Sequence, residues 1–271
     1  MRNLAYTEKL LVSRYQGTMP AILTCPHGGD KQPPGVPNPR TGVGLPSDCR
    51  FEPNTDRLTR TITRGVAQFL FDVFGVAPYV VIANFDRAFI DANRRADCAF
   101  EDPDARQFYE EYHKTIRNFV DEIRSENGGL GLLIDVHGTA QIAHDPADVY
   151  LGTLNGEAIS SLLRRDSLAM SRRRSLPGLL NEAGYKVSSK IPETIRGDFT
   201  LETYGSSNAD GMDAIQIEIE SKLRTDPDPG KRNLFIEDLA YAISSLIARY
   251  TDTLTLAAFR SANFLPRLQR G

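Results

Sequence analysis

An α/β domain, with a mixed, largely parallel sheet covered on both faces, is the fold class this sequence predicts. Three observations carry that expectation. Short apolar runs rich in β-branched residues recur along the chain. Longer amphipathic stretches of helical period separate them. Polar, chemistry-bearing residues follow several of the apolar runs, as at the strand ends of open α/β sheets. No internal repeat, low-complexity tract or linker divides the chain, so residues 1–271 read as one domain.

Residues 1–19 read as a lead-in segment. Ala21-Ile22-Leu23-Thr24 is a buried strand that delivers Cys25-Pro26-His27-Gly28-Gly29-Asp30 to its C-terminal end. Lys31 to Pro53 is rich in Pro and Gly and is expected to be irregular; so long a loop in a compact domain is usually functional or mobile. Asn54-Thr55-Asp56 reads as a helix N-cap, with an amphipathic helix from Arg57 to Phe74 and Gly75 as its stop. Pro78 to Ala83 is a strand. The segment Asn84 to Arg95 is polar with alternating apolar residues.

Asp104 to Ser125 forms a long helix with Phe108, Tyr112, Ile116, Phe119 and Ile123 on one face. Leu130 to Val136 is a second buried strand, ending at His137-Gly138-Thr139. Val149 to Leu154 reads as a strand. Gly156 to Ala183 contains helix interrupted near Leu176-Pro177, and Tyr185 to Val187 is short and extended. Pro192 to Gly205 reads as a polar loop, Ala214 to Ile219 as a strong strand, and Arg232 to Tyr250 as an amphipathic helix.

Hydrophobic residues at 41% and charged residues at 25% are ordinary for a globular protein, and a formal charge of -3 gives no basic excess for nucleic acid. No apolar run is long enough to cross a bilayer, and the N-terminus does not read as a signal peptide. The three cysteines, Cys25, Cys49 and Cys98, are odd in number and lack CxxC spacing. They are expected to be reduced, which places the protein in the cytoplasm.

The chemistry rests on four segments gathering at one sheet edge: His27/Asp30, Arg87 to Arg94, Asp135-x-His137 and Gln216-x-Glu218. His27 and Asp30 offer an imidazole and a carboxylate to a cation such as zinc, and His137 offers a second imidazole. Asp135, two residues earlier on the same strand face, is placed to hold that imidazole. Glu218 lies inside an apolar alternation, where burial raises a carboxylate pKa and suits a general base. Glu220 is its competitor, and a structural salt bridge to an arginine is the plainer role for Glu218. Arg87, Asn93 and Arg94 offer donors for a carboxylate or an oxyanion, and Asp91 is placed to orient Arg94 or Arg95. His113 and His144 read as packing or surface residues.

The set Pro26-His27-Gly28-Gly29, Arg87-x-x-x-Asp91-x-Asn93-Arg94, Asp135-x-His137-Gly138 and Gln216-x-Glu218 resembles the N-formylglutamate amidohydrolase family. That family is similar to zinc carboxypeptidases and aspartoacylases. The resemblance implies a three-layer α/β/α fold of the phosphorylase/hydrolase-like kind. It implies one zinc ion held by His27, His137 and a carboxylate. Asp30 stands where the relatives have a glutamate, and Asp56 is the alternative, since the family often carries Thr-Asp there. It further implies Glu218 as base, Arg87 as oxyanion stabiliser, and Asn93 with Arg94 as the clamp for a substrate α-carboxylate. Gly197-Asp198-Phe199-Thr200 resembles the family's later substrate loop.

The expected reaction is zinc-assisted hydrolysis of an N-acyl amino acid, N-formyl-L-glutamate or similar, to a small acid and a free amino acid. Rivals are another zinc deacylase or carboxypeptidase of this fold, a non-catalytic metal- or ligand-binding protein, and a cysteine hydrolase using Cys25. The expected partner is a small molecule, with no nucleic acid and no membrane.

Overall fold

The computed structural model describes residues 3–192 and 198–250. Among these described residues eight strands form one sheet in the order β1-β2-β4-β3-β5-β8-β6-β7. In chain order the elements begin with β1 (Thr7–Lys9), β2 (Val12–Tyr15) and β3 (Ala21–Cys25), followed by α1 (Thr59–Phe74) and β4 (Tyr79–Ala83). Next come α2 (Ala96–Ala99), α3 (Arg106–Glu126), β5 (Leu132–Thr139), β6 (Val149–Gly152), α4 (Ser160–Arg165) and α5 (Leu176–Glu182). The chain continues through β7 (Val187–Ser188), α6 (Phe199–Tyr204), β8 (Asp213–Glu220), α7 (Ser221–Thr225) and α8 (Pro229–Tyr250).

The centre, β4-β3-β5-β8, is parallel. β2 joins it antiparallel at one side and β6 antiparallel at the other. The predicted three-layer α/β/α class, with a mixed and largely parallel sheet, is therefore observed. One face of the sheet buries Leu23, Ile134 and Ile217 against Ile62, Val66 and Leu70 of α1 and Phe235, Leu239 and Ile243 of α8. The other buries Ile22, Leu133 and Ala214 against Tyr112, Ile116 and Phe119 of α3 and Leu201 and Tyr204 of α6. Both faces are covered, so the central strands are apolar on both sides, and this is why they are legible as continuous runs.

Four expectations need correction. The lead-in segment contains the hairpin β1–β2, which pairs with β4; its turn uses Leu10 at φ 51° rather than the glycine or asparagine that announces a hairpin. Helix α1 begins at Thr59, after Leu58 at φ 66°, not at an Asp56 cap. The Asp56 carbonyl accepts from Thr59 N, which leaves the Asp56 carboxylate free to point elsewhere. Pro177 does not interrupt a helix but lies in the first turn of α5, capped by Ser175. Phe199–Tyr204, expected as loop, is the helix α6. Gly197 lies outside the described residues.

The cysteine expectation is also overturned. Cys49 and Cys98 form a disulfide, and Cys25 alone is a free, buried thiol. Cysteine usage therefore no longer argues for a reducing compartment. Among the described residues no helix is long and apolar enough to cross a membrane.

The disulfide belongs to a set of ties that fix the irregular loop 31–58 onto the segment 86–101. Arg40 donates to the carbonyls of Arg87 and Glu52 at 2.7 and 3.1 Å. The Glu101 carboxylate accepts from the backbone of Thr41 and Gly42. Arg95 pairs with Asp48 at 2.7 Å. Without helix or strand of its own, the loop is held by side chains, and it delivers Asp56 to the sheet edge.

Candidate active site

Parallel pairing sets the site. Thr24 of β3 lies beside Asp135 of β5, which lies beside Gln216 of β8; one pleat further on, His137 lies beside Glu218. Alternation puts all five on the face that carries Ile22, Leu133 and Ala214 nearer the strand starts. That face is thus apolar under α3 and polar at the C-terminal edge. His27 follows two residues after β3, and Gly28 and Gly29 let its loop press against neighbouring backbone. A Cβ on Gly29 would stand 2.3 Å from the Phe85 carbonyl oxygen.

The imidazoles of His27 and His137 have centroids 4.8 Å apart. Each ring is fixed through Nε2: His27 to Asp91 Oδ1 at 2.7 Å, and His137 to Asp135 Oδ2 at 2.8 Å. A carboxylate accepts, so Nε2 carries the proton and Nδ1 presents a lone pair. Both Nδ1 atoms face Asp56 Oδ2, each at 3.4 Å. Gly138 N donates to that same oxygen at 3.0 Å and steadies it.

With both rings neutral, three buried electron-pair donors therefore converge with no hydrogen between them. Such an arrangement is repulsive unless positive charge fills it. The protonation equilibria express the same demand. Burial pushes Asp56 toward the neutral acid, yet protonated His137 and His27 facing its carboxylate, with the charge of His27 and Arg87, outweigh it and hold the carboxyl far below the usual range. Burial lowers His137, but Asp135 and Asp56 outweigh it and raise the imidazole well above its ordinary value. Burial likewise opposes ionisation of Asp91, which Arg87 and His27 nevertheless keep charged.

A cation fits this demand. His27, Asp56 and His137 form a buried group whose ligand atoms all lie within 4.8 Å of one another. Tetrahedral zinc, with ligands at about 2.0–2.1 Å, spaces them about 3.3–3.4 Å apart, close to the two His–Asp separations. His27 Nδ1 is buried with no hydrogen-bond partner, as a ligand atom would be. Asp91 and Asp135 stand where carboxylates behind the histidines of a metal site would orient them.

The three groups open onto a cavity of about 470 Å³ lined also by Arg50, Arg87, Arg94, Gln216, Glu218 and Arg224. Glu218 is 4% exposed and accepts from Gln216 Nε2 at 2.9 Å. Burial is the main cause that raises its pKa to about 7, assisted by Asp56 and opposed by His137. Glu220 is committed elsewhere: its carboxylate accepts from Lys222 N and caps α7. Arg87 holds Asp91 at 3.0 Å, and its Nη1 lies 3.7 Å from Asp56 Oδ1. Arg94 lines the cavity with its Nη1 on the Asn93 carbonyl at 2.8 Å.

Two sequence expectations change here. Asp30 is not with the histidines. It is an exposed residue whose carboxylate pairs with Arg60 at 3.1 Å, because the Gly28-Gly29 turn carries it outward beside residues 84–86, past the end of β4. Asp56 takes the carboxylate position instead. Asn93 is less a clamp than a brace: its Oδ1 accepts from Thr200 N and Oγ1 at 2.9 Å, and its Nδ2 lies 3.3 Å from His137 Nε2.

The remaining candidates separate cleanly. Cys25 is fully buried against Thr59 Oγ1 at 3.4 Å, and burial raises its thiol pKa, which disfavours the nucleophilic thiolate. His113 packs among Tyr109, Tyr112, Phe199 and Tyr204, and His144 lines a different cavity. Asp91 as the partner of His27 was not foreseen, because 64 residues separate them. Nor was Arg224, which lies in a stretch between the last strand and the last helix that carried no motif.

Residues 99–224 match the N-formylglutamate amidohydrolase family model. The resemblance carried by the motifs is thereby shown, over a span that includes His137 and Glu218 but stops short of His27 and Asp56. An N-formylglutamate amidohydrolase from Ralstonia eutropha JMP134 shares the fold at a TM-score of 0.62 and 17% identity, over 89% of this chain and 99% of that one. A gene product of Agrobacterium tumefaciens does so at 0.62 and 14%, over 89% and 96%. At these identities the likeness concerns fold. No curated protein matches the sequence significantly.

Proposed function

We propose that this chain is a metal-dependent amidohydrolase that cleaves the amide bond of an N-acyl amino acid, N-formyl-L-glutamate or a close analogue. The products are a small acid and a free amino acid. One observation carries the reading: two Nδ1 atoms and Asp56 Oδ2 converge beside a carboxylate poised near neutrality, in one cavity. The family match over residues 99–224 supports the same class of chemistry.

His27, Asp56 and His137 would hold the ion. When bound, zinc or a similar divalent cation acidifies a water and polarises a carbonyl oxygen. Glu218 accepts the proton of the attacking water and returns it to the departing amine nitrogen. Arg87, fixed by Asp91, offsets negative charge growing on the former carbonyl oxygen. Arg94 receives the substrate carboxylate, where a guanidinium binds through two hydrogen bonds. Asn93 braces the start of α6 against the edge that carries His137.

The test is amine release by the zinc-loaded protein from a panel of N-formyl, N-acetyl and N-succinyl amino acids and their α-amides. The proposal expects turnover that requires a free α-carboxylate. Stoichiometric zinc with no amine released from any member would favour a binding protein instead.

A further inference from the structure

Helix α7 follows β8 directly, and it turns Arg224 back under the site. Arg224 is 5% exposed. Its Nε donates to the Ile219 carbonyl at 2.9 Å, its Nη2 to the Thr139 carbonyl at 3.1 Å, and its Nη1 to the Arg57 carbonyl. These three acceptors come from three separate parts of the chain. Ile219 follows Glu218, Arg57 follows Asp56, and Thr139 lies two residues after His137.

The guanidinium also lies over Gly138. A Cβ there would stand 2.4 Å from the guanidinium carbon, so a larger residue fits only if the guanidinium shifts. Gly138 N is the donor to Asp56 Oδ2. One planar cation thus ties together the backbone behind a base and two metal ligands. Lysine cannot replace it, since an ammonium is a point donor and does not span three diverging carbonyls.

We infer that Arg224 is a positioning residue that sets the separation of Asp56, His137 and Glu218, and through it metal affinity and the proton-transfer geometry. This rests on the metal-dependent reading above.

The experiment compares the full-length wild type with R224K, G138A and the double variant. Zinc affinity is read by competition with a chelator, and ligand geometry by the visible absorption of the cobalt(II)-substituted protein. R224K is expected to weaken zinc by about 10- to 100-fold, as loss of an outer-shell contact does, to alter the cobalt spectrum, and to lower kcat more than it changes KM. G138A displaces the same guanidinium from the other side and should act in the same direction, with the double variant no worse than the poorer single. If R224K does not fold, G138A decides. Unchanged affinity and spectrum in the folded variants, or losses that simply add, would overturn the inference. A wild type that binds no metal would sink the metal-dependent reading itself, and this inference with it.

Discussion

Replacing Glu218 by glutamine should make the protein inactive and, without metal, more stable. A glutamine keeps the shape of the protonated acid, and its oxygen can still accept from Gln216 Nε2. Burial raises the Glu218 pKa from 4.5 to about 7. Folding therefore opposes its ionisation. The sign follows: below pH 4.5 both folded and unfolded states hold the proton and there is no cost. As pH rises from 4.5 to 7 the unfolded state releases it first, and stability falls by about 1.4 kcal/mol per unit. Above pH 7 the loss is complete, on the order of 3 kcal/mol, and the E218Q variant does not suffer it. The assay is urea unfolding of metal-free wild type and E218Q between pH 4.5 and 8.5, beside kcat of the zinc-loaded forms. We expect E218Q to gain about 2–3 kcal/mol relative to wild type on going from acid to pH 8, and to lose about 10²- to 10⁴-fold in kcat, with zinc retained. A variant that turns over at near the wild-type rate, or whose stability tracks wild type at every pH, would refute the assignment of Glu218.

Three further outcomes are expected. R94A should raise KM for a carboxylate-bearing substrate by about 10- to 100-fold, the worth of a charged hydrogen bond, with a smaller effect on kcat; an unchanged KM would remove Arg94 from the site. D91N and D135N should each weaken zinc by about 10- to 100-fold, measured by chelator competition. Reducing Cys49–Cys98 with a dithiol should cost about 2–4 kcal/mol of unfolding free energy, since the bridge spans a separation of 49 residues.

The parts of the fold that were legible in the sequence are those buried on both faces. β3, β4, β5 and β8 announce themselves because every position is apolar or chemically loaded. The edge hairpin does not: β1 is fully exposed, and its turn violates the usual residue preference at Leu10. α6 is six residues long and reads as loop, since its order comes from Thr200 held by Asn93 rather than from its own pattern.

The site shows the same division. His137, Asp135 and Glu218 are placed by strand alternation, which is readable from spacing alone. Asp30 and Asp56 could not be ranked that way. Both follow polar turns, and only the fold shows that one pairs with Arg60 in solvent while the other faces two imidazoles. Asp91 and Arg224 act across 64 and 167 residues of sequence, to His27 and to the Arg57 carbonyl, and no local pattern reports such contacts. The disulfide was missed for a related reason, because its partners meet only after the loop 31–58 has docked.

Metal content decides the central claim most directly. Purified wild type, D30N and D56N would be saturated with zinc, dialysed and assayed for bound metal per chain. The account predicts about one ion in wild type and D30N and close to none in D56N. Equal zinc in D56N and wild type, or loss in D30N alone, would contradict it.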